Sequence, residues 1–120
     1  MLEFLRAEAL RLRDTVRWSL DGWRAAWASE KSLRQWTLAN LISAALTVAV
    51  QMSAGERALI LSLGVLVLAA ELLNSALEEV VDYISTAKDP RARKAKDCAS
   101  AGVALTAVAA GVAWVVVLVG

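Results

Sequence analysis

The sequence has no histidine, one cysteine and one proline among its 120 residues. The single cysteine excludes a disulfide within the chain, and the lack of histidine excludes Ser-His-Asp and Cys-His catalytic sets and histidine-ligated zinc. Charges nearly cancel, with 13 Lys and Arg against 12 Asp and Glu, so the strongly basic surface typical of nucleic-acid binding is missing. Any chemistry must use carboxylates, lysine and amides.

Apolar side chains, by contrast, are abundant. They make up 58% of the residues, and the mean hydropathy is +0.54. A water-soluble domain of this size buries only about two thirds of its unfolded surface, so such a composition would leave large apolar patches exposed. The composition therefore indicates a membrane protein.

Three segments are long enough to cross a bilayer. Residues 35–55 and 98–120 carry no charge, and each gives roughly 30–35 Å of helix. Between them, residues 58–70 are apolar, and the pattern continues beyond Glu71 because a crossing needs about 20 residues. We predict an all-α fold whose spans cover residues 35–54, 58–80 and 98–119, within a single domain of residues 1–120.

The loop charges orient these spans. Seven Lys and Arg lie in the first 35 residues, five lie in residues 83–97, and the intervening turn has only Arg57. The positive-inside rule then predicts a cytoplasmic N-terminus and a multi-pass protein. The N-terminal charges are spread along the segment, which is not the pattern of a signal peptide.

The N-terminal segment, residues 3–30, has the pattern of an amphipathic helix. Apolar residues recur every three or four positions, while arginines occupy the opposite side. Tryptophans 23, 27 and 36 cluster just before the first span, which favours a helix lying in the membrane interface. The alternative is a soluble helix that packs on a partner.

A polar stripe in the second span is the most informative feature. Glu71, Asn74, Glu78 and Asp82 follow the spacing i, i+3, i+7 and i+11, which keeps them within roughly 80° of one helix face. A charged group in hydrocarbon costs about 2.5–3.5 kcal/mol, so it faces a bundle interior, pairs or functions. The alternative is that Glu71 only joins helices through hydrogen bonds.

Further polar residues stand near the other spans. Lys96 and Asp97 precede the third span, where they form either part of a site or an ordinary helix start. Glu30 precedes the first span and by itself is typical of a solvated charge.

Two motifs resemble the prokaryotic diacylglycerol kinase family. They are the run from Glu71 to Asp82, read ELLNSALEEVVD, and the run AKDCASA that contains Lys96 and Asp97. The segment GWRAAW of residues 22–27, followed by Glu30, is also similar. The resemblance implies a small integral membrane lipid kinase with three spans and a surface helix, assembled as a homotrimer with sites shared between protomers.

The resemblance also implies residue roles. Glu71 would be the base that takes the proton of the lipid hydroxyl, Glu30 and Glu78 would hold Mg²⁺ on ATP, and Asn74 and Asp97 would belong to the catalytic set. ATP contacts would come from Arg11, Glu30, Glu78, Lys96 and Asp97, and lipid contacts from Glu71, Ser100, Arg24 and Trp27. The chain departs from the family at Trp18, Tyr83 and Asp89, so the resemblance leaves open the nucleotide contacts of Trp18 and of residues 83–93.

The predicted function is ATP-dependent phosphorylation of diacylglycerol to phosphatidic acid at the cytoplasmic face of a bacterial inner membrane. The alternative substrate is undecaprenol, which a related branch of the family phosphorylates. An alternative of another class is a small proton- or cation-coupled carrier or a structural bundle. The stripe runs toward the cytoplasmic end of its span, which favours an interfacial enzyme over a carrier with a mid-membrane acidic residue.

Overall fold

A computed structural model describes residues 1–120 and is entirely helical, as predicted. Its four helices are α1 (Leu2–Ser29), α2 (Lys31–Ala49), α3 (Ala54–Ile84) and α4 (Pro90–Val119). The chain divides into two compact units, Met1–Glu30 and Lys31–Gly120.

The first unit is the single helix α1. None of its residues is buried. Its Trp23 and Trp27 rings stack, with centroids 5.9 Å apart, because residues four positions apart lie on one helix face. The two tryptophans therefore form a continuous aromatic surface on one side of α1.

The connection between α2 and α3 is short and capped. The Ser53 hydroxyl accepts a hydrogen bond from the Glu56 backbone N–H, which satisfies a free donor at the start of α3. Arg57 Nε donates to the Thr47 carbonyl oxygen at 3.0 Å, which places a cation at the negative end of α2. α2 ends at Ala49, five residues before the predicted end of the first span at 54.

The helix α4 begins at Pro90, eight residues before the predicted start of the third span at residue 98. Asp89 is the N-cap, its carboxylate accepts a hydrogen bond from the Arg91 backbone N–H, and Pro90 stands in the first turn. The Arg91 side chain donates to the same carboxylate and holds the pKa of Asp89 below its ordinary value. Lys96 and Asp97 thus lie inside α4, and their interpretation as a helix start is wrong.

In the second unit, α3 packs on both α2 and α4. The Asn40 side chain of α2 lies directly against the backbone of α3 at Gly64, and Trp114 Nε1 of α4 donates to Ser43 Oγ of α2 at 2.8 Å. Few residues are fully enclosed, and the buried apolar ones are Leu33, Ile60, Val67, Val103 and Ala113.

Two helices, α3 and α4, are long and apolar enough to cross a membrane. Only 22% and 11% of their most apolar windows are buried within the chain, whereas the core helix of a soluble protein would be mostly covered. The mean hydropathy of α2 is too low for a membrane span, because its 19 residues include the polar residues Lys31, Arg34, Gln35 and Asn40. Together with their length, the uncovered apolar surface of α3 and α4 indicates a membrane protein. A third crossing stays a prediction.

Candidate functional site

The predicted stripe is present on one continuous helix, α3. Its most enclosed members are Glu71, which is 4% exposed, and Ser75, one turn further on and 7% exposed. Both belong to the face that also buries Ile60 and Val67. A carboxyl group and a hydroxyl group are therefore enclosed next to each other on an otherwise apolar face.

Asn74 and Glu78 form the next part of the stripe. Asn74 Nδ2 donates to Glu78 Oε1 at 3.4 Å, a long hydrogen bond between residues one turn apart. The Asn74 Oδ1 and Ser75 Oγ atoms are buried and have no hydrogen-bond partner. A buried oxygen without a partner loses its hydration without compensation, so these two atoms mark a place where a further polar group would be stabilised.

The end of α3 is tied to the start of α4 by charge. Lys96 Nζ lies 2.7 Å from Asp82 Oδ1. Within α4, Arg93 Nε lies 3.2 Å from both carboxylate oxygens of Asp97. An open cavity of about 520 Å³ adjoins these pairs and is lined by Asp82, Arg93 and Lys96 together with the residues of the connecting loop.

A smaller and mainly apolar groove lies between α3 and α4. Its volume is about 220 Å³, and Asn74 supplies its polar side. Small residues on α4, Ala99 and Gly102, make room for it. Ser100, the predicted lipid contact, is exposed on the neighbouring position of α4 but does not line this groove.

The remaining predicted residues belong to the first unit. Arg11 pairs with Glu8 at 2.6 Å and Arg24 with Asp21 at 3.6 Å, and both arginines are well exposed. Glu30 ends α1 in an extended conformation, and its backbone N–H donates to the Ala26 carbonyl oxygen at 2.7 Å.

The donor chemistry of the chain fits magnesium bound with a nucleotide. No group of three or more His, Cys, Asp or Glu side chains forms a protein-only metal cage. Magnesium usually takes one or two carboxylates and completes its shell with water and phosphate oxygens. Glu78, half-buried beside the Asn74 amide, is such a carboxylate.

The predicted residues are therefore brought together only in part. Asn74 meets Glu78, and Lys96 lies at the cavity beside α3. Sequence reasoning assigned no role to Asp82, Arg93 or Ser75, although each is next to a predicted residue. Sequence reasoning could have included Asp82 in the site, because it lies on the same polar stripe. It could not have singled out Arg93, because its pairing with Asp97 is one of many possible i, i+4 pairs.

Known proteins are similar to this chain over most of its length. The family model described as prokaryotic diacylglycerol kinase matches residues 17–118. The diacylglycerol kinase of Pseudomonas aeruginosa is 38% identical over 112 residues, covering 92% of this chain and 89% of the relative. The Escherichia coli K12 diacylglycerol kinase is 34% identical over 108 residues, covering 90% and 88%. That of Haemophilus influenzae is 35% identical over 103 residues, covering 86% and 87%. The chain therefore belongs to the prokaryotic diacylglycerol kinase family, a family of lipid kinases.

Proposed function

We propose that the protein transfers the γ-phosphoryl group of ATP to the free hydroxyl of diacylglycerol and forms phosphatidic acid. The observation that carries the proposal is Glu71, a buried carboxyl group on an apolar helix at the head of a polar stripe. Burial of a carboxyl group on such a helix is costly, so a functional reason is expected. Family membership supports the same reaction.

Glu71 accepts the proton of the lipid hydroxyl in this proposal. The hydroxyl oxygen then forms the new bond to the γ-phosphorus, the bond between this phosphorus and the β,γ-bridging oxygen breaks, and ADP leaves. Phosphoryl transfer depends mainly on alignment and charge stabilisation, and a positioned carboxylate serves the first need at the nucleophile. The same residue explains why no histidine is required.

The binding of ATP and its metal ion is assigned to residues nearer the membrane surface than Glu71. Glu78 and Glu30 hold the metal, and Asn74 orients Glu78 through its amide. When bound there, Mg²⁺ would neutralise charge on the phosphates of ATP. Lys96 supplies a cation to the phosphates. Asp97 pairs with Arg93, which lines the same cavity. Arg11 is assigned to the nucleotide, whereas Arg24, Trp27 and Ser100 are assigned to the lipid.

We propose that the reaction takes place at the cytoplasmic face of the bacterial inner membrane, in a homotrimer with shared active sites. Three crossings, with the N-terminus in the cytoplasm and α1 on the membrane surface, suit a water-soluble nucleotide and a membrane-soluble lipid. The distribution of Lys and Arg supports this orientation. The exposed apolar residues of α3 and α4 support burial against lipid or neighbouring protomers.

The test is phosphate transfer from radiolabelled ATP by the purified protein in mixed micelles. Diacylglycerol and undecaprenol are supplied separately, with and without Mg²⁺. The variants are Glu71→Gln and Glu78→Gln, and Glu79→Gln is the matched control because Glu79 is exposed beside Glu78. We expect transfer to diacylglycerol that requires Mg²⁺ and falls at least ~100-fold in Glu71→Gln, the scale of a lost general base.

The variants also separate the two ends of the site. Glu71→Gln should still bind ATP, whereas Glu78→Gln should need more Mg²⁺ and ATP, and Glu79→Gln should behave as the native protein. Preference for undecaprenol would replace the proposed substrate. Transfer to neither lipid by a folded protein would favour a carrier or structural role, and full activity of both site variants would contradict the residue assignment.

A further inference from the structure

The ion pair between Asp82 and Lys96 joins two helices. Lys96 Nζ lies 2.7 Å from Asp82 Oδ1 although the residues are 14 positions apart. The pairs Arg91–Asp89 and Arg93–Asp97, by contrast, join close neighbours in the chain. Lysine has a flexible stem with many rotamers, so this contact determines where the Lys96 ammonium group lies.

The ammonium group is held beside the open cavity of about 520 Å³. It has three N–H donors, and Asp82 uses one of them, which leaves two for other acceptors. Arg93 and Lys88 also line the cavity, but Arg93 pairs within its own helix through Nε and Lys88 lies in the loop between α3 and α4. Lys96 is therefore the lining cation whose position is set by a contact between α3 and α4, and it keeps two donors for an anionic ligand in the cavity.

We propose that Asp82 is a positioning residue for ATP binding: it holds the Lys96 ammonium group so that its other two donors meet the phosphates. The inference rests on the proposed kinase function. It assigns a role to the last residue of the polar stripe, which otherwise would be a surface carboxylate. Without Asp82, Lys96 would lose its anchor on α3 and sample many rotamers before each binding event.

The first test is the kinetics of Asp82→Asn, a change that keeps the shape of the side chain and removes its charge. The pair is partly exposed, with 36% of the Lys96 and 51% of the Asp82 side chain accessible, so a moderate effect is expected. We expect the KM for ATP to rise about three- to tenfold, with kcat and the KM for diacylglycerol within about twofold of native.

The controls distinguish positioning from general structural effects. Glu79→Gln removes one negative charge from the same part of α3, and its KM for ATP should stay at the native value. Asp82→Glu keeps the charge and should recover most of the affinity for ATP. An unchanged or lower KM for ATP in Asp82→Asn would overturn the inference, because Asp82 would then be neutral or would compete with the phosphates.

The second test measures ATP binding by equilibrium dialysis and does not need turnover. Asp82→Asn should weaken binding in the native background and have no further effect in a Lys96→Met background, since the role of Asp82 runs through Lys96. Equal weakening in both backgrounds would overturn the inference while leaving the kinase function intact. A native protein that neither binds ATP nor transfers phosphate would overturn both.

Discussion

Hydrogen bonding of single polar residues differs sharply within the second unit. Ser43 and Ser75 are both serines on apolar helices. Ser43 Oγ accepts a hydrogen bond from Trp114 Nε1 at 2.8 Å, whereas the buried Ser75 Oγ has no partner. The first hydroxyl stabilises the contact between α2 and α4, and the second adds desolvation without a compensating bond.

The same substitution at these two serines should therefore have opposite effects on stability. Ser43→Ala leaves the indole N–H of Trp114 without its acceptor and should lower the free energy of unfolding by about 1 kcal/mol. Ser75→Ala removes an unpartnered hydroxyl and should leave that energy unchanged or raise it by up to about 1 kcal/mol. Denaturant titrations of both variants in the same micelles would measure this. A loss in Ser75→Ala as large as that in Ser43→Ala would contradict the interpretation.

Packing between elements depends on one close approach. On α3, Gly64 has no side chain, and the Asn40 side chain of α2 fills the space that a Cβ atom would need. Asn40 is itself held in place, because its Nδ2 donates to the Trp36 carbonyl oxygen at 3.0 Å. The contact therefore sets both the spacing and the register of α2 against α3.

Gly64→Ala should destabilise the protein. The new methyl group would displace Asn40 and break its bond to Trp36, a net loss of about 1–2 kcal/mol. Gly111→Ala is the matched control, because nothing lies within 4 Å of the Cβ position there, and alanine should stabilise a helix by up to about 1 kcal/mol. Adding Asn40→Ala to Gly64→Ala should relieve the clash. Equal stability of the two glycine variants in thermal unfolding would exclude this account.

At the scale of the whole molecule, we expect α2 to cross the membrane together with α3 and α4. Arg57 bonds to the end of α2, and Asn40 contacts Gly64 further along, so α2 runs antiparallel beside α3. A helix that packs along a membrane-spanning helix lies at the same depth in the bilayer. This packing therefore supports three crossings although the hydropathy of α2 alone is too low.

Labelling of single cysteines in spheroplasts tests this topology. In a Cys98→Ser background, three crossings predict that Gln51→Cys reacts with a membrane-impermeant maleimide, while Glu3→Cys and Thr86→Cys react only after permeabilisation. If only α3 and α4 crossed, Glu3→Cys and Gln51→Cys would be labelled together from the same side. That result would disprove the first crossing.

Local signals in the sequence accounted for the helices and for much of the candidate site. The polar stripe was readable because Glu71 to Asp82 lie on one helix, where spacing alone sets the face. The start of α4 was not predicted: an Asp followed by Pro is a typical N-cap and first turn, but Lys96 and Asp97 were interpreted as a possible helix start instead.

The sequence by itself therefore determined the apolar helices, the membrane setting, the polar stripe and the family resemblance. These depend on composition and on spacing within one helix. Only the tertiary structure decided that Asp82 meets Lys96, that Asn40 contacts Gly64, and that Trp114 donates to Ser43. Such contacts depend on the register between packed helices, which many side chains set together and which no local pattern encodes.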